Sequence, residues 1–325
     1  MAKPHISVVV CTFNRSSELI KALRSLYHLE TEGRFNYDIV VIDNASTDAT
    51  PQTIAFAEEE SPVPLRGVLE SRKGVVFARN RGIAEATGDW IAFFDDDQLA
   101  DPRWLVELIH LAEEKQVRCV GGAVHLKLPE EHAGRELRTK VRMLLGEARW
   151  SNEPMPYSVR IGPGAGNLML QRSLIEQVGG FDENILGRGE DTDLYFRIRA
   201  LGETCWFVPT AIIHHLIPPA RLQDAFFRRL SVGMGEGVAM HELGQYGTVR
   251  FSLIWAAKIA RAILVDGPLY WWARLTGNRE EALDRICRIA LEQGHWQNGW
   301  SLLKKQWSSH RLPESSASTK TAVTT

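Results

Sequence analysis

The chain has 325 residues, a formal net charge of −2 and 44% hydrophobic residues. That length suffices for one large α/β domain, or two smaller ones, with a sizeable core. The near-neutral balance excludes the broad basic field of a nucleic-acid binder and leaves no acidic tail.

The first half alternates strand and helix. Ile6–Cys11 is a β-branched run bounded by Asn14, the pattern of a strand buried on both faces. Glu18–Leu29 has helical spacing, and Asp38–Ile42 is a second buried strand that ends in DNASTD. Thr50 and Pro51 fit an N-cap and a first helical residue. Leu65–Leu69 reads as a strand, Val75–Ala86 as a helix stopped by Gly88, Trp90–Phe94 as a strand and Trp104–Lys115 as a helix. Strands separated by helices imply a mostly parallel sheet, and such sheets bind ligands at the carboxyl ends of their strands. Residues 126–165 are irregular and rich in charge, Pro and Gly. Asn167–Leu170 and Cys205–Val208 resemble strands, while Arg172–Val178 and Asp191–Leu201 resemble helices. From Pro218 the pattern is helical only, and the small polar tail after Pro313 reads as disordered.

The cysteines Cys11, Cys119, Cys205 and Cys287 have no CxxC spacing and read as neither a zinc site nor a disulfide framework, so a reducing, cytoplasmic compartment is expected. The opening MAKPHISVVVCTF does not read as a signal peptide. No stretch reaches the roughly 18 uninterrupted apolar residues of a spanning helix.

Several segments carry chemistry. WIAFFDDDQ runs a buried strand into Asp95, Asp96 and Asp97. Like charges this close raise one another's pKa, and a divalent cation bridging a diphosphate would relieve them. The plain structural alternative is a solvated acidic turn. In VIDNASTD, Asp43 follows a strand and suits a base or ribose contact, or a turn. RKGVVFARNRG places Lys73, Arg79 and Arg81 along a helix, where Arg79 would meet phosphate or an aspartate of the cluster. GRGEDTDLYFRI puts Glu190 and Asp191 at a helix start, as acids favoured by the dipole or as a general base. AIIHHLIPP offers His214 and His215 as ligands or as packing residues.

Taken in order, TFNR, VIDNASTD, KGVVFARNRGIAEATGDWIAFFDDD, GAGNLML…GGFDE, GEDTDL and then His closely resemble family-2 glycosyltransferases of the GT-A fold, over about residues 5–240. The resemblance implies a Rossmann-like, mostly parallel mixed sheet flanked by helices, with a C-terminal helical extension. It divides the chain into a nucleotide-sugar-binding half (1–125), an acceptor-binding and catalytic half (126–217), a helical region (218–311) and the tail (312–325). Thr12, Asn14 and Asp43 would line the nucleotide pocket, with Arg79, Asp95 and Asp96 beside them. Asp97 would ligate Mn²⁺ or Mg²⁺, with His214 as a further ligand and His215 the lesser choice. Asp191 would be the catalytic base and Glu190 would orient it or the acceptor. The implied activity is inverting, metal-dependent, hexosyltransferase-like transfer from a UDP-, GDP- or dTDP-sugar, UDP by family habit, to a glycan or lipid-linked acceptor. Processive members carry a QxxRW motif; RLQDAFFRRL here lacks it, which favours single addition.

Two rival readings stand beside this one. A catalytically silent nucleotide-sugar-binding scaffold would share the fold, and donor hydrolysis would separate the two. A nucleotidyltransferase would want a Gly-rich phosphate loop near the first strand, which CTFNRSSE is not. Beyond residue 250 lie six of the ten tryptophans: Trp255, Trp271, Trp272, Trp296, Trp300 and Trp307. With the neighbouring Lys and Arg they suggest a helix lying in a membrane interface, on the inner face of a membrane. A packed helical subdomain or a homodimer contact are the other readings of this region.

Overall fold

A computed structural model describes residues 3–185, 187 and 189–309. The tail at 312–325 and the side chain of Trp307 lie outside the described residues. The chain forms two compact units, 3–135 with 145–222 and 136–144 with 223–309.

The first unit opens with β1 (His5–Thr12), α1 (Ser16–Leu26), β2 (Asn36–Asp43), α2 (Thr50–Glu60), β3 (Leu65–Leu69), α3 (Val75–Glu85) and β4 (Trp90–Asp95). It continues with β5 (Gln98–Ala100), α4 (Trp104–Lys115) and β6 (Cys119–Lys127). The short helix α5 (Thr139–Leu144) belongs to the second unit. The first unit then closes with β7 (Met155–Pro156), β8 (Asn167–Gln171), α6 (Arg172–Val178), α7 (Glu190–Ala200) and β9 (Cys205–Leu216). Its strands form one nine-stranded sheet in the order β3-β2-β1-β4-β8-β6-β9-β5, with β7 paired to β9. β1 runs parallel to β2 and β4, and β8 runs antiparallel to β4 and β6.

Alternation along the strands divides the core into two layers. Ile6, Val8, Val10, Ala92 and Phe94 face α1, α2 and α4 on one side. Val9, Val40, Ile91 and Phe93 face α3, α6 and α7 on the other. Burial on both faces is why these strands read as continuous apolar runs rather than alternating ones. The order reverses at β1, which has β2 on one side and β4 on the other. The crevice at the carboxyl ends of β1 and β4 is therefore a topological switch point. Register brings Cys11 opposite Asp95 and Thr12 opposite Asp43.

Three local expectations change. Thr50 is already helical, with Ala49 preceding it as a cap that makes no side-chain bond. Part of the stretch expected to be irregular from 126 is ordered as the end of β6, the six-residue α5 and the two-residue β7. Cys119 and Cys205 are register partners on parallel β6 and β9 and form a disulfide, with a Cα–Cα distance of 4.6 Å. Their separation of 86 residues concealed a pair that only the sheet order brings together.

The second unit adds α8 (Asp224–Arg261), α9 (Gly267–Leu275) and α10 (Arg279–Ser309) to α5. α8 kinks at Gly247, whose φ is 69°. A Cβ on Gly235 or Gly294 would stand 1.9 Å from the backbone oxygen of Leu291 or Val232, so glycine lets α8 and α10 touch backbone to backbone. Among the described residues no helix is long and apolar enough to cross a membrane.

Candidate active site

A cavity of about 660 Å³ opens at the switch point. Its wall includes Thr12, Arg79, Asp95, Asp96, Asp97 and Glu190, so six of the expected residues converge there. It does not include Asn14, Asp43, Asp191 or His214.

Strand β4 delivers the aspartates, and each meets a different environment. Asp95 faces Arg79, whose Nη2 lies 3.7 Å from its Oδ1. Burial pushes the Asp95 carboxyl up, Arg79 opposes that, and Asp97 adds to it. A Cβ on Gly166 would stand 2.2 Å from Asp95 Oδ2, so a side chain there would displace the Asp95 carboxylate. Asp96 is buried and accepts from Arg15 Nη1 at 2.6 Å. Desolvation outweighs that partner and lifts its pKa to about 6.

Asp97 behaves oppositely. Burial alone would raise it, but His215, Arg15 and Arg221 together hold it below the usual carboxylate range. Its Oδ2 lies 3.0 Å from Arg15 Nη1, 3.4 Å from His215 Nε2 and 3.5 Å from Arg221 Nη2. The Asp97 backbone oxygen accepts from Leu216 N at 2.8 Å, part of the antiparallel pairing of β5 with β9 that delivers His215.

The structure thus puts His215, not His214, beside Asp97. Neighbouring strand residues point to opposite faces, and His214 turns instead to the His125 ring at 5.8 Å. The two ring nitrogens of His215 face different partners. Nδ1 lies 2.8 Å from Leu145 O, which holds the ring in place. Nε2 lies 3.1 Å from Arg221 Nη1 and 3.4 Å from Asp97 Oδ2. An imidazole whose other nitrogen is held by a backbone carbonyl is oriented to ligate a metal through the free one.

The donor set fits a hard divalent ion that retains open positions. Among the described residues no three or more His, Cys, Asp or Glu side chains gather as a cage. Asp97 Oδ2 and His215 Nε2, at 3.4 Å, are near the roughly 3.0 Å that separates adjacent ligands around an ion with ~2.1 Å bonds. Mg²⁺-type sites use one or two protein ligands and take the rest from phosphates and water.

Arg79 links this cluster to α7. Nearly buried, it donates from Nη1 to Glu190 Oε1 at 2.6 Å and covers the Phe181 ring at 5.3 Å. Asp191 is the next residue of the helix. Its carboxyl is pushed up by burial and by Glu190, and held down by Arg79 and by the Thr192 N–H at 2.7 Å.

Two expected pocket residues serve the loops instead. Asp43 Oδ1 accepts from Ser46 N at 2.9 Å, closing the turn after β2. Asn14, at φ 51°, accepts from Thr47 N at 2.7 Å and ties the β1 and β2 loops together. Beside Asp43, Asn44 lines the cavity and accepts from Gly74 N at 2.8 Å, fixing the start of α3. Arg81 pairs with Glu85 along α3, a surface role. Thr12 Oγ1 is buried at the wall beside Asp96. Cys11, also at the wall, is pushed up to about 12 by burial, which excludes it as a thiolate nucleophile. Arg15, Asn44 and Arg221 are polar lining residues that the sequence does not single out, and His215, its lesser choice of histidine, is the one at the wall. Lys73, whose charge the sequence marks, lines the cavity with its Nζ over the Phe13 ring at 5.6 Å.

Comparison with known proteins agrees with this architecture. The model of the family described as "Glycosyl transferase family 2" matches residues 7–177. The succinoglycan biosynthesis protein ExoM of Rhizobium meliloti is 31% identical over 246 residues, covering 73% of this chain and 76% of that protein. Glycosyltransferase AglE of Haloferax volcanii is 25% identical, covering 72% and 73%. Among solved structures, a mannosyltransferase of Pyrobaculum calidifontis in complex with GDP-Man and Mn²⁺ aligns with a TM-score of 0.62 at 19% identity, covering 93% of this chain and 88% of that one. GalNAc-T7 with UDP, GalNAc and Mn²⁺ aligns at 0.55 and 17% identity, covering 71% and 48%. These likenesses show the GT-A fold. With the family match spanning more than half of its length, the chain belongs to glycosyl transferase family 2.

Proposed function

We propose that this enzyme is an inverting, non-processive glycosyltransferase that moves one sugar from a nucleotide-diphosphate sugar, UDP by default, to a hydroxyl of an envelope or lipid-linked glycan. The observation that carries the reading is the placement of Asp97 Oδ2 and His215 Nε2, 3.4 Å apart, in the same cavity as the Arg79–Glu190 pair. The relation to a succinoglycan biosynthesis protein supports a polysaccharide acceptor. The Mn²⁺ and nucleotide-sugar complexes of the structural relatives support a metal-dependent donor site.

In this reading Asp97 and His215 hold Mn²⁺ or Mg²⁺, which when bound supplies Lewis-acid stabilisation to the leaving diphosphate. Lys73 and Arg221 offer donors to phosphate oxygens, and Asp95 and Thr12 contact the nucleoside. Asp191, whose carboxylate Arg79 and the Thr192 N–H stabilise against burial and Glu190, takes the proton from the acceptor hydroxyl as its oxygen attacks the anomeric carbon. Glu190, fixed by Arg79, positions Asp191 and the acceptor. A single displacement of this kind inverts the anomeric configuration. The acceptor class brings the enzyme to the inner face of a membrane as a peripheral protein.

The test is a thermal-shift panel of UDP, GDP, dTDP and CDP, each with Mn²⁺ or with EDTA. A ligand at about 100 times its dissociation constant adds about 2.7 kcal/mol of stability. The expected result is a metal-dependent shift with one nucleotide, lost in Asp97→Ala and His215→Ala and kept in His214→Ala. A shift that survives EDTA removes the metal. A metal-dependent shift without donor hydrolysis or transfer to any glycan acceptor supports the silent scaffold instead.

A further inference from the structure

The helical unit contains a second cavity, of about 520 Å³, formed by the first turns of α8, by α9 and by the start of α10. Three arginines line it, Arg228, Arg274 and Arg279, against one acid, Asp224. Asp224 lies 3.6 Å from Arg279. Among the described residues Arg228 and Arg274 have no carboxylate partner. Two uncompensated guanidiniums lining one concavity suit a phosphate, which takes planar, two-point donation from arginine.

The setting of the cavity is apolar. On α9 the row Tyr270–Arg274 faces the cavity, and the adjacent row Trp271–Leu275 faces solvent, with Trp271 65% and Leu275 82% exposed. Trp272 on the same helix, and Ile263 and Leu264 in the segment just before it, are exposed as well. Large apolar side chains gathered this way mark an interaction surface. Charge selects the partner. From Leu243 to Arg279 the sequence holds Arg250, Lys258, Arg261, Arg274 and Arg279 against one acid, Asp266. That acid is buried and paired with Arg285 at 2.8 Å. Lys258 pairs with Glu242, Arg261 with Asp266 and Arg279 with Asp224, so the cationic excess beside the exposed apolar side chains rests on Arg228, Arg250 and Arg274. A Trp-rich apolar surface with a cationic excess complements an anionic bilayer.

We propose that the Arg228–Arg274–Arg279 cavity binds the phosphate of an anionic lipid, with Trp271, Trp272 and Leu275 seated in the bilayer interface. This deepens the membrane contact proposed above and rests on it, and is independent of the donor site.

The test is co-sedimentation of the full chain with phosphatidylglycerol-containing vesicles, with pure phosphatidylcholine vesicles, and with phosphatidylcholine vesicles plus free inorganic phosphate. Binding is expected in the first case only. Each basic residue near an anionic surface contributes about 1 kcal/mol, so Arg228→Gln with Arg274→Gln should weaken binding about thirtyfold. The paired Arg→Lys variant, which keeps the charge without the two-point fork, should recover only part of that loss, and helical circular dichroism and the donor-induced thermal shift should stay unchanged. Absence of binding to any vesicle overturns the lipid contact altogether. Binding lost only in Trp271→Ser with Trp272→Ser, and not in the arginine variants, overturns the phosphate cavity alone. Stabilisation by inorganic phosphate in the absence of vesicles identifies a free-anion site and overturns the lipid. Concentration-dependent dimerisation abolished by the tryptophan variants assigns the surface to a second copy, which also overturns it.

Discussion

Arg79→Gln should be the most informative single change in the catalytic unit. The Arg79 side chain is 9% exposed and that of Glu190 is 12% exposed, so their 2.6 Å pair is screened little by solvent. Removing one partner of such a pair leaves the other charge stranded, at a cost of about 3–5 kcal/mol. Loss of the Phe181 contact adds to this. Glu190→Gln should cost less, because Arg79 keeps Asp95 at 3.7 Å. In a double-mutant cycle the pair should therefore show a coupling of about 2 kcal/mol or more. The penalty also has a defined pH dependence. Asp191 is already raised by burial and by Glu190, with Arg79 the main charge opposing both. A carboxyl raised on folding binds more protons folded than unfolded, so its cost appears as pH rises through the folded value. Without Arg79 that cost grows, and the defect should be larger at pH 8 than at pH 5. Urea unfolding of the four proteins at both pH values is the assay. A loss below about 1 kcal/mol, or a defect that deepens towards acid, would refute the assignment of Arg79 as the buried counter-charge.

The same electrostatics predict catalysis. Asp191→Asn should lower turnover about 10²–10⁴-fold while leaving the nucleotide thermal shift intact, and a comparable loss of donor affinity would show a different role. Because Asp191 is raised, the acid limb of turnover should lie above the ordinary carboxylate range. Glu190→Gln should move that limb down and Arg79→Gln should move it up, which a pH–rate profile reads directly. Gly166→Ala places a methyl 2.2 Å from Asp95 Oδ2, so donor affinity should fall about tenfold with little change in melting temperature, and unchanged affinity would mean that Asp95 is free to move. Asn167→Leu strands Trp104 Nε1 and the carbonyls of Ala123 and Ala211, which Asn167 bonds at 2.7, 3.0 and 3.1 Å. At about 1–3 kcal/mol per stranded group the loss should exceed about 3 kcal/mol by urea unfolding.

The fold and the acidic part of the cavity wall were legible because they rest on strong local signals. β1, β2 and β4 are apolar runs ending in polar residues, and the strand ends of a parallel sheet are where ligands bind. The resemblance carried Asp95–Asp97, Glu190 and Asp191 to one end of that sheet. What escaped was set by non-local pairing. β5 is three residues long, too short to show a period, yet its antiparallel pairing to β9 decides that His215 rather than His214 meets Asp97. β9 is also disturbed: its register with β6 shifts between Gly122 and Ala123, so strand parity counted from Cys205 does not reach the histidines intact. Arg15 and Arg221 escaped for a related reason. Each follows a strand end, β1 and β9, at a position where sequence alone gives no direction to a long side chain, and only the sheet order points both at one carboxylate. The disulfide between Cys119 and Cys205 joins strands whose adjacency is likewise invisible before the topology is known.

The grouping of two arginines and a histidine around Asp97 answers the difficulty posed by three consecutive aspartates. Within the protein itself each is treated differently: Arg79 faces Asp95, Arg15 serves Asp96, and Arg15, Arg221 and His215 share Asp97. Only Asp97 is held below the usual carboxylate range, while Asp95 and Asp96 are raised. Hard cations bind ionised carboxylates, so the residue already stabilised as an anion is the one prepared to ligate. Arg221 and Arg15 then have a second use. In the proposed reading, a divalent ion held by Asp97 would repel both guanidiniums, and a diphosphate bound with it would offer them oxygens in exchange. On that basis Arg221→Gln should weaken the nucleotide shift in Mn²⁺ more than Mn²⁺ binding measured without nucleotide, by about tenfold for one charge-assisted pair. Equal loss in both titrations would mean that Arg221 only supports the fold around Asp97.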